Sequence, residues 1–316
     1  MKGSPDAFDR TLAIDKNTVL KFLQSSQPTK WEKLKSIHTT TTEINVIARL
    51  AKELEQRGTL DVLRKGFTDY GVKFDMAFFK PENKLNEETE KQYKQNILTV
   101  IRQVKYSLKN ENELDLVLFL NGLPVATVEL KNQFTKQTVY NAKKQYSFDR
   151  DANELLFQFK KRALVHFVVD TDEVYMTTKL EGSKTKFLPF NKGYNNGAGN
   201  PPMNENGKQG YRTEYLWKEV WAKDSWLDIV GRFLHLQAED IEISGTTRKK
   251  EAMIFPRYHQ LDSVRKIAND VKQNGVGKNY LIQHSAGSGK SNSIAWLAYR
   301  LSGLHDNTDS PSSMLS

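Results

Sequence analysis

The chain has 316 residues, no cysteine, 38% hydrophobic residues and a formal net charge of +9. The lack of cysteine excludes disulfides, thiolate-bound zinc, iron–sulfur clusters and thiol catalysis. The length suits about two domains with real cores, no apolar run reaches the ~20 residues of a membrane span, and no secretory signal is visible. We therefore expect a cytoplasmic protein without membrane contact, whose basic balance suits an anionic partner such as nucleic acid.

The N-terminal hundred residues are predicted to be mainly helical. Four apolar residues recur at helical spacing: Ile44, Ile47, Ala51 and Leu54. Thr40 and Glu43 have the spacing of a capping box at the start of this helix, and Gly58 is placed to end it. Apolar runs predict strands at 73–79 and 98–106, with a polar stretch between them.

The strongest strand signal lies at 114–130, where two apolar runs flank Asn121-Gly122 and predict a β-hairpin. Further elements follow in chain order: a helix at 139–148, a hairpin at 164–169 and 174–178, a long loop at 191–210, a helix at 215–236, a polar domain boundary at 244–251, a helix at 260–272, a strand at 279–283, a helix at 290–302 and a polar tail at 306–316.

A phosphate-binding loop is predicted at 284–291, where His-Ser-Ala-Gly-Ser-Gly-Lys-Ser stands between a predicted strand and a helix. Gly287 and Gly289 let backbone N–H groups wrap a polyphosphate, Lys290 would reach the β and γ phosphates, and Ser291 would hold Mg²⁺. An ordinary Gly/Ser loop before a helix is the alternative.

Gln260 lies thirty positions before Lys290 and follows aromatic residues. This arrangement resembles the Q-motif of superfamily-two helicases, in which the amide reads the hydrogen-bonding edge of adenine. Together with the loop, it predicts an ATP site.

Three charged residues stand at the ends of the predicted hairpin strands. Asp115 begins the first strand, and Glu129 and Lys131 end the second. Two carboxylates can hold Mg²⁺, which lowers the pKa of a bound water, while the lysine positions or polarises that water. This is the pattern of PD-(D/E)xK nucleases. Charged residues at exposed strand ends are also common without any such role.

The register of the hairpin decides whether these residues meet. Side chains alternate between the faces of a strand, so Asp115 joins the face of Glu129 only if residues of equal parity pair across the strands. A plain two-residue turn at Asn121-Gly122 gives the wrong parity, whereas a three-residue loop or one bulge gives the right one. We therefore predict that the hairpin is not a plain two-residue turn. Glu43 could add a third carboxylate, although its capping role is the preferred interpretation.

The two motifs occur together with three stretches, at 110–124, 187–193 and 254–261, that resemble the restriction (R) subunit of type I restriction–modification enzymes. The resemblance covers about residues 7–305. It implies a Mg²⁺-dependent endonuclease that cuts double-stranded DNA, in a complex with a methylase (M) subunit and a specificity (S) subunit. Members of this family cut after ATP-driven translocation along DNA.

The same resemblance implies an α/β fold in two parts. Residues 1–245 would form a PD-(D/E)xK restriction-endonuclease-like domain, with a mixed central sheet flanked by helices. Residues 246–316 would form the truncated start of a RecA-like P-loop helicase domain. Because the sequence ends one helix beyond the loop, the later motor motifs are absent, and we expect ATP binding with Mg²⁺ but no translocation.

Carried onto this chain, the family's nuclease positions are Asp115, Glu129 and Lys131, with Asp115 and Glu129 as the metal ligands. The ATP positions are Gln260, Ala286, Gly287, Ser288, Gly289, Lys290 and Ser291. Gln145 fits the glutamine of the family's Gln-x-x-x-Tyr pattern, but Asp149 stands at the tyrosine position, with Tyr146 and Arg150 nearby. Leu114 replaces the usual proline before the first aspartate.

Two other functions remain open at this point. The chain could be a catalytically silent remnant that docks to DNA or to the methylase. It could also be a P-loop ATPase whose N-terminal part only regulates it.

Overall fold

The computed structural model describes residues 1–81, 87–132, 136–195, 197–202, 210–243 and 246–304. Its helices are α1 Lys16–Ser26, α2 Pro28–His38, α3 Thr42–Arg57, α4 Thr59–Lys65, α5 Glu87–Gln95, α6 Val139–Lys144, α7 Lys223–Asp228, α8 Tyr258–Asn274 and α9 Lys290–Ser302. Its strands are β1 Phe8–Asp9, β2 Ile14–Asp15, β3 Phe67–Asp69, β4 Val72–Phe74, β5 Leu98–Lys105, β6 Glu113–Leu120, β7 Leu123–Leu130, β8 Val165–Val169, β9 Val174–Thr177, β10 Leu188–Pro189, β11 His235–Ile243 and β12 Thr246–Ile254.

A six-stranded sheet with the order β10-β9-β8-β7-β6-β5 forms the centre of the molecule. β7 and β8 run parallel and all other neighbours run antiparallel, so the sheet is mixed. One hydrophobic cluster joins the sheet to α1, α3 and α4, and includes Val19, Leu50 and Val125. A second cluster joins it to α6 and includes Phe119 and Val168. The predicted mixed sheet with flanking helices is therefore confirmed.

The predicted hairpin is formed by β6 and β7, and its register is irregular as expected. Asn121 and Gly122 both have positive φ, of 52° and 83°, which makes a tight two-residue turn that pairs Leu120 with Leu123. Further along, Leu118 pairs with Ala126, because one extra residue has entered β7. The plain two-residue hairpin is thus excluded.

α3 is confirmed, but its predicted cap is wrong. A 3₁₀ turn over Thr39–Thr41 delays the start of the helix, so Thr41 is its N-cap residue and makes no side-chain capping bond. Thr40 is therefore not the N-cap residue of α3, and Thr40 and Glu43 do not form a capping box. Glu43 instead accepts a hydrogen bond from Nε2 of Gln24 at 3.3 Å. The helix does end at Gly58, where φ is +83°.

Two predicted elements are shorter or more interrupted than expected. The strand predicted at 73–79 is limited to β4, and the polar stretch before β5 contains α5. The helix predicted at 215–236 is broken into a π turn at Leu216–Val220, helix α7 and a second π turn at Ile229–Phe233. Each π turn inserts a residue and changes the helical phase, which brings Leu216, Val220, Ile229 and Phe233 into the core.

In the polar run predicted to mark a domain boundary at 244–251, residues 246–251 belong to β12, and residues 244 and 245 lie outside the described residues. β12 pairs along its whole length with β11, and the register sets Glu239 opposite Lys250 and Asp240 opposite Lys249. Opposite charges on paired strands favour this ladder. The division of the chain into domains near residue 245 stays a prediction.

Helices α8 and α9 are found where the sequence predicts them, but the strand predicted at 279–283 is not formed. No strand in the described part of 246–304 pairs with it, so its backbone groups would have no ladder partner. Leu281 is accordingly exposed. The predicted tail at 306–316 lies outside the described residues. In the part of the chain that is described, no helix has the length and apolarity of a membrane span.

Candidate active site

Asp115 and Glu129 lie next to the last paired residues of β6 and β7. The ladder pairs Leu116 with Val128, and the same register continued by one residue sets Asp115 opposite Glu129. The backbone N–H of Leu130 donates to Oδ2 of Asp115 at 2.7 Å, which fixes the aspartate against the second strand. The bulge in β7 thus brings the two predicted carboxylates to the same place in the sheet.

Glu129 is buried and is held by Arg150, a residue that no sequence motif singles out. Nε and Nη2 of Arg150 donate to Oε1 of Glu129 at 2.9 and 2.7 Å. The same guanidinium donates from Nη2 to the carbonyl of Glu113 at 2.7 Å. Arg150 therefore fixes one oxygen of the glutamate and ties it to the neighbouring strand.

Burial raises the pKa of Glu129 to about 7, against an ordinary value of 4.5. The charge of Arg150 opposes this rise, the charge of Asp115 adds to it, and Lys131 gives a smaller opposing contribution. The three predicted residues are therefore near enough to influence one another electrically. A carboxyl with a pKa near neutrality beside a second acid is typical of functional sites.

A π turn after α6 brings Arg150 to the glutamate. The turn spans Gln145–Asp149, and the N–H of Arg150 donates to the carbonyl of Gln145 at 3.1 Å to close it. Asp149, at the tyrosine position of the family pattern, is exposed. Oε1 of Gln145 is buried and has no hydrogen-bond partner among the residues described. The one-residue insertion of a π turn explains why spacing alone does not identify Arg150.

A buried chain of polar groups lies beside the two acids. The hydroxyl of Thr127 is 2.7 Å from the hydroxyl of Tyr146 and 2.7 Å from Nδ1 of His166. Burial lowers the pKa of His166 to about 3, so the ring is neutral and its partners need not supply a counter-charge. This chain fixes the helix that carries Gln145 and Arg150 onto the strand that carries Glu129.

The residues at this site fit a divalent cation held by few protein ligands. Oδ1 of Asp115 and Oε2 of Glu129 have no hydrogen bond among those found for the described residues. Mg²⁺ is commonly bound by one or two carboxylates, with water and substrate phosphates as its other ligands. No group of three acidic, histidine or cysteine side chains able to hold a metal occurs in the described ranges.

The predicted phosphate-binding loop has part of the expected geometry. Gly287 and Gly289 have φ of +70° and +81°, a backbone region that favours glycine, and Gly289 is the N-cap residue of α9. Nζ of Lys290 turns back to the carbonyls of Ser285 and His284, at 3.1 and 3.4 Å. Among the other predicted loop residues, Ala286 and Ser291 are exposed and Ser288 is buried.

Gln260 connects α8 to this loop. Its Oε1 accepts from the N–H of Arg257 and its Nε2 donates to the carbonyl of Gly289, both at 2.8 Å. Gln260, Ser288 and Gly289 line a cavity of about 440 Å³, whose opposite wall comes from β9 and β12. The amide predicted to read adenine thus bonds to backbone groups at the edge of a cavity.

A family model for the N terminus of the type I restriction enzyme R protein matches residues 14–185. The chain belongs to this family. The match contains Asp115, Glu129, Lys131, Gln145 and Arg150, and it ends before the predicted phosphate-binding loop.

One curated relative supports the same family. A Methanocaldococcus jannaschii protein named as a type I restriction enzyme MjaVIIIP endonuclease subunit is 24% identical over 263 residues. The match covers 80% of this chain and 23% of that protein. This R-protein N-terminal chain therefore spans about a quarter of the length of the relative.

Proposed function

We propose that the chain is the endonuclease part of a type I restriction R subunit and that it cuts double-stranded DNA with Mg²⁺. The observation that carries the proposal is the register of β6 and β7, which sets Asp115 opposite Glu129, with Lys131 one residue beyond the end of β7. Family membership supports the reaction class.

Asp115 and Glu129 would hold the metal through their free oxygens. When bound, Mg²⁺ would supply a water of lowered pKa and would offset negative charge on the phosphate. Leu130 positions Asp115 through its N–H, and Arg150 positions Glu129 while leaving Oε2 available. Lys131 would donate to the attacking water or to a phosphate oxygen. Gln145, whose Oε1 is unpaired within the described structure, would orient a water at the same site.

Nicking of supercoiled plasmid in Mg²⁺ or Mn²⁺ tests this proposal. Asp115→Asn, Glu129→Gln and Lys131→Ala should each abolish nicking. Glu111→Gln and Lys109→Ala are matched controls, because these exposed residues form surface ion pairs, and both should nick normally. Nicking that survives Asp115→Asn would refute the site. No nicking by the wild type under any metal condition would favour the alternative, a silent module that docks to DNA or to the methylase.

We also propose that the loop at 284–291 binds ATP with Mg²⁺. The supporting observations are the two left-handed glycines, the lysine at the start of α9, and the cavity beside Gln260. Lys290 would exchange the carbonyls of Ser285 and His284 for phosphate oxygens, and Ser291 would hold the metal. In the full-length family this site would drive translocation.

The partners proposed for the chain follow from the family. They are double-stranded DNA and the M and S subunits of a type I restriction–modification complex. Co-purification of the 316-residue chain with an M and S complex would test this assembly, and the proposal fails if the chain elutes separately at micromolar concentrations.

A further inference from the structure

A cavity between the π turn after α7 and helices α8 and α9 has mostly cationic side chains among the charged residues described on its wall. Its volume is about 380 Å³, within the range of small-molecule sites. Five cationic side chains line it: Lys80, Arg232, Arg265, Lys272 and Arg300. Of the acidic residues described, two line it, and one of them, Asp224, is paired with Lys80 at 2.7 Å.

The other acid, Asp228, is shared by several guanidinium groups. Arg265 donates from Nε and Nη2 to Oδ2 of Asp228, at 3.1 and 2.8 Å. Arg300 donates from Nη2 to Oδ1, and Nη1 of Arg232 lies 3.7 Å from the same oxygen. One carboxylate therefore serves both Arg265 and Arg300. An anion in the cavity would add negative charge beside these two guanidinium groups.

One hydrogen-bond donor of Arg300 has no partner among the described residues. Its side chain is 16% exposed, and its Nε is buried without a hydrogen-bond partner among the described residues. The guanidinium lies over the ring of Phe233, 4.7 Å from its centroid, so the ring holds it in place. Burial lowers the pKa of Arg300; Asp228 opposes this effect, and Arg232 and Arg265 add to it.

We propose that this cavity binds a phosphate group. Guanidinium forks match phosphate oxygens in geometry and charge, and Arg300, Arg265 and Lys272 would supply the donors. The site is separate from the loop at 284–291, since no residue of that loop lines the cavity. A phosphate of this kind can come from a free anion or from the backbone of DNA.

Calorimetric titration with inorganic phosphate tests the site, with Lys290→Ala present in every protein so that the loop does not contribute. Arg300→Gln should weaken phosphate binding by at least about tenfold, the loss expected for one charge-assisted hydrogen-bonded contact. Asp228→Asn should strengthen phosphate binding, because it removes the carboxylate charge that competes with phosphate for Arg265 and Arg300 while the side chain keeps nearly the same shape. Arg49→Gln is the control, since this arginine pairs with Glu53 on α3, and it should leave binding unchanged.

Fluorescence anisotropy with a duplex of random sequence separates the two phosphate sources. DNA binding that weakens in Arg300→Gln and competes with phosphate supports a backbone phosphate, and phosphate binding without a DNA effect supports a free anion. Equal phosphate affinity in Lys290→Ala alone and in the proteins that also carry Arg300→Gln or Asp228→Asn overturns the proposal. If Arg300→Gln does not fold, unchanged or weaker binding by Asp228→Asn overturns it alone.

Discussion

Asp115 lies opposite Glu129 because β7 contains one residue more than β6 between their shared turn and the site. Without that residue the tight turn at Asn121 and Gly122 would pair residues of unequal parity, and the two acids would lie on opposite faces of the sheet. The bulge is therefore a requirement of the proposed metal site. Arg150 adds a second requirement, since it fixes the carboxylate that the bulge has placed.

The substitution Asn121→Ala should destabilise the protein at the turn that sets the register of β6 and β7. The buried Asn121 side chain accepts from the N–H of Ile97 at 2.7 Å and donates to the carbonyl of Met76 and to Oδ1 of Asn96. Removing it leaves buried groups unpaired, so we expect a loss of about 3 kcal/mol in the free energy of unfolding. Urea denaturation measures this. Asn110→Ala, at an exposed turn, should stay within about 0.5 kcal/mol, and an equally small loss for Asn121→Ala would contradict the account.

The buried pair of Arg150 and Glu129 should show strong energetic coupling. Arg150→Met leaves an uncompensated buried carboxylate, which destabilises a protein by about 3–5 kcal/mol. In the Glu129→Gln background the same substitution should be milder by more than about 1 kcal/mol, because no buried charge remains. A double-mutant cycle at pH 8 gives the coupling energy. Additive effects of the two substitutions would show that the ion pair is not formed.

The raised pKa of Glu129 predicts a specific pH dependence of stability. An acid with a folded pKa near 7 and an unfolded pKa near 4.5 contributes its full stability below pH 4.5 and loses it as pH rises through 7. The loss would reach about 3 kcal/mol. The free energy of unfolding of the wild type should therefore fall by about 3 kcal/mol relative to that of Glu129→Gln when the pH is raised from 5 to 8.

Glu111→Gln provides the control for this pH series. Arg10 and Lys105 lower the pKa of Glu111 to about 2, so this residue is ionised throughout the range. Its difference from wild type should stay constant between pH 5 and 8. A constant difference for Glu129→Gln as well would mean that Glu129 is ionised at pH 5 and is not buried as described.

The ATP proposal predicts a selective effect of Lys290→Ala. Equilibrium binding of a fluorescent ATP analogue with Mg²⁺ should weaken by at least about tenfold, because the lysine would contact the phosphates directly. Lys266→Ala removes an exposed lysine that pairs with Asp262 on α8, and it should bind normally. Equal ATP binding by both variants and the wild type would show that the loop at 284–291 does not bind ATP.

Much of the sheet could be predicted from the sequence because its signals are local. Alternating apolar runs and Asn121-Gly122 identify β6 and β7, and the parity of the charged residues predicts either a three-residue loop or a bulge. The partner of Glu129 could not be predicted in this way. Arg150 reaches it through a π turn and through tertiary packing, neither of which has a periodic signal in the sequence.

The strand predicted at 279–283 failed for a related reason. A strand depends on partners elsewhere in the chain, and an apolar run cannot supply them by itself. β11 and β12 show the converse, because polar and charged residues form a long ladder once complementary charges lie opposite each other. Both cases concern interactions between segments, which the pattern within one segment does not contain.

Titration with Mn²⁺ followed by electron paramagnetic resonance shows whether Asp115 and Glu129 share a metal ion, since bound and free Mn²⁺ give different signals. We expect one bound ion per wild-type chain, at least about tenfold weaker binding in Asp115→Asn, and wild-type binding in Glu111→Gln. Equal Mn²⁺ affinity in the wild type and Asp115→Asn would show that Asp115 and Glu129 do not share a metal ion.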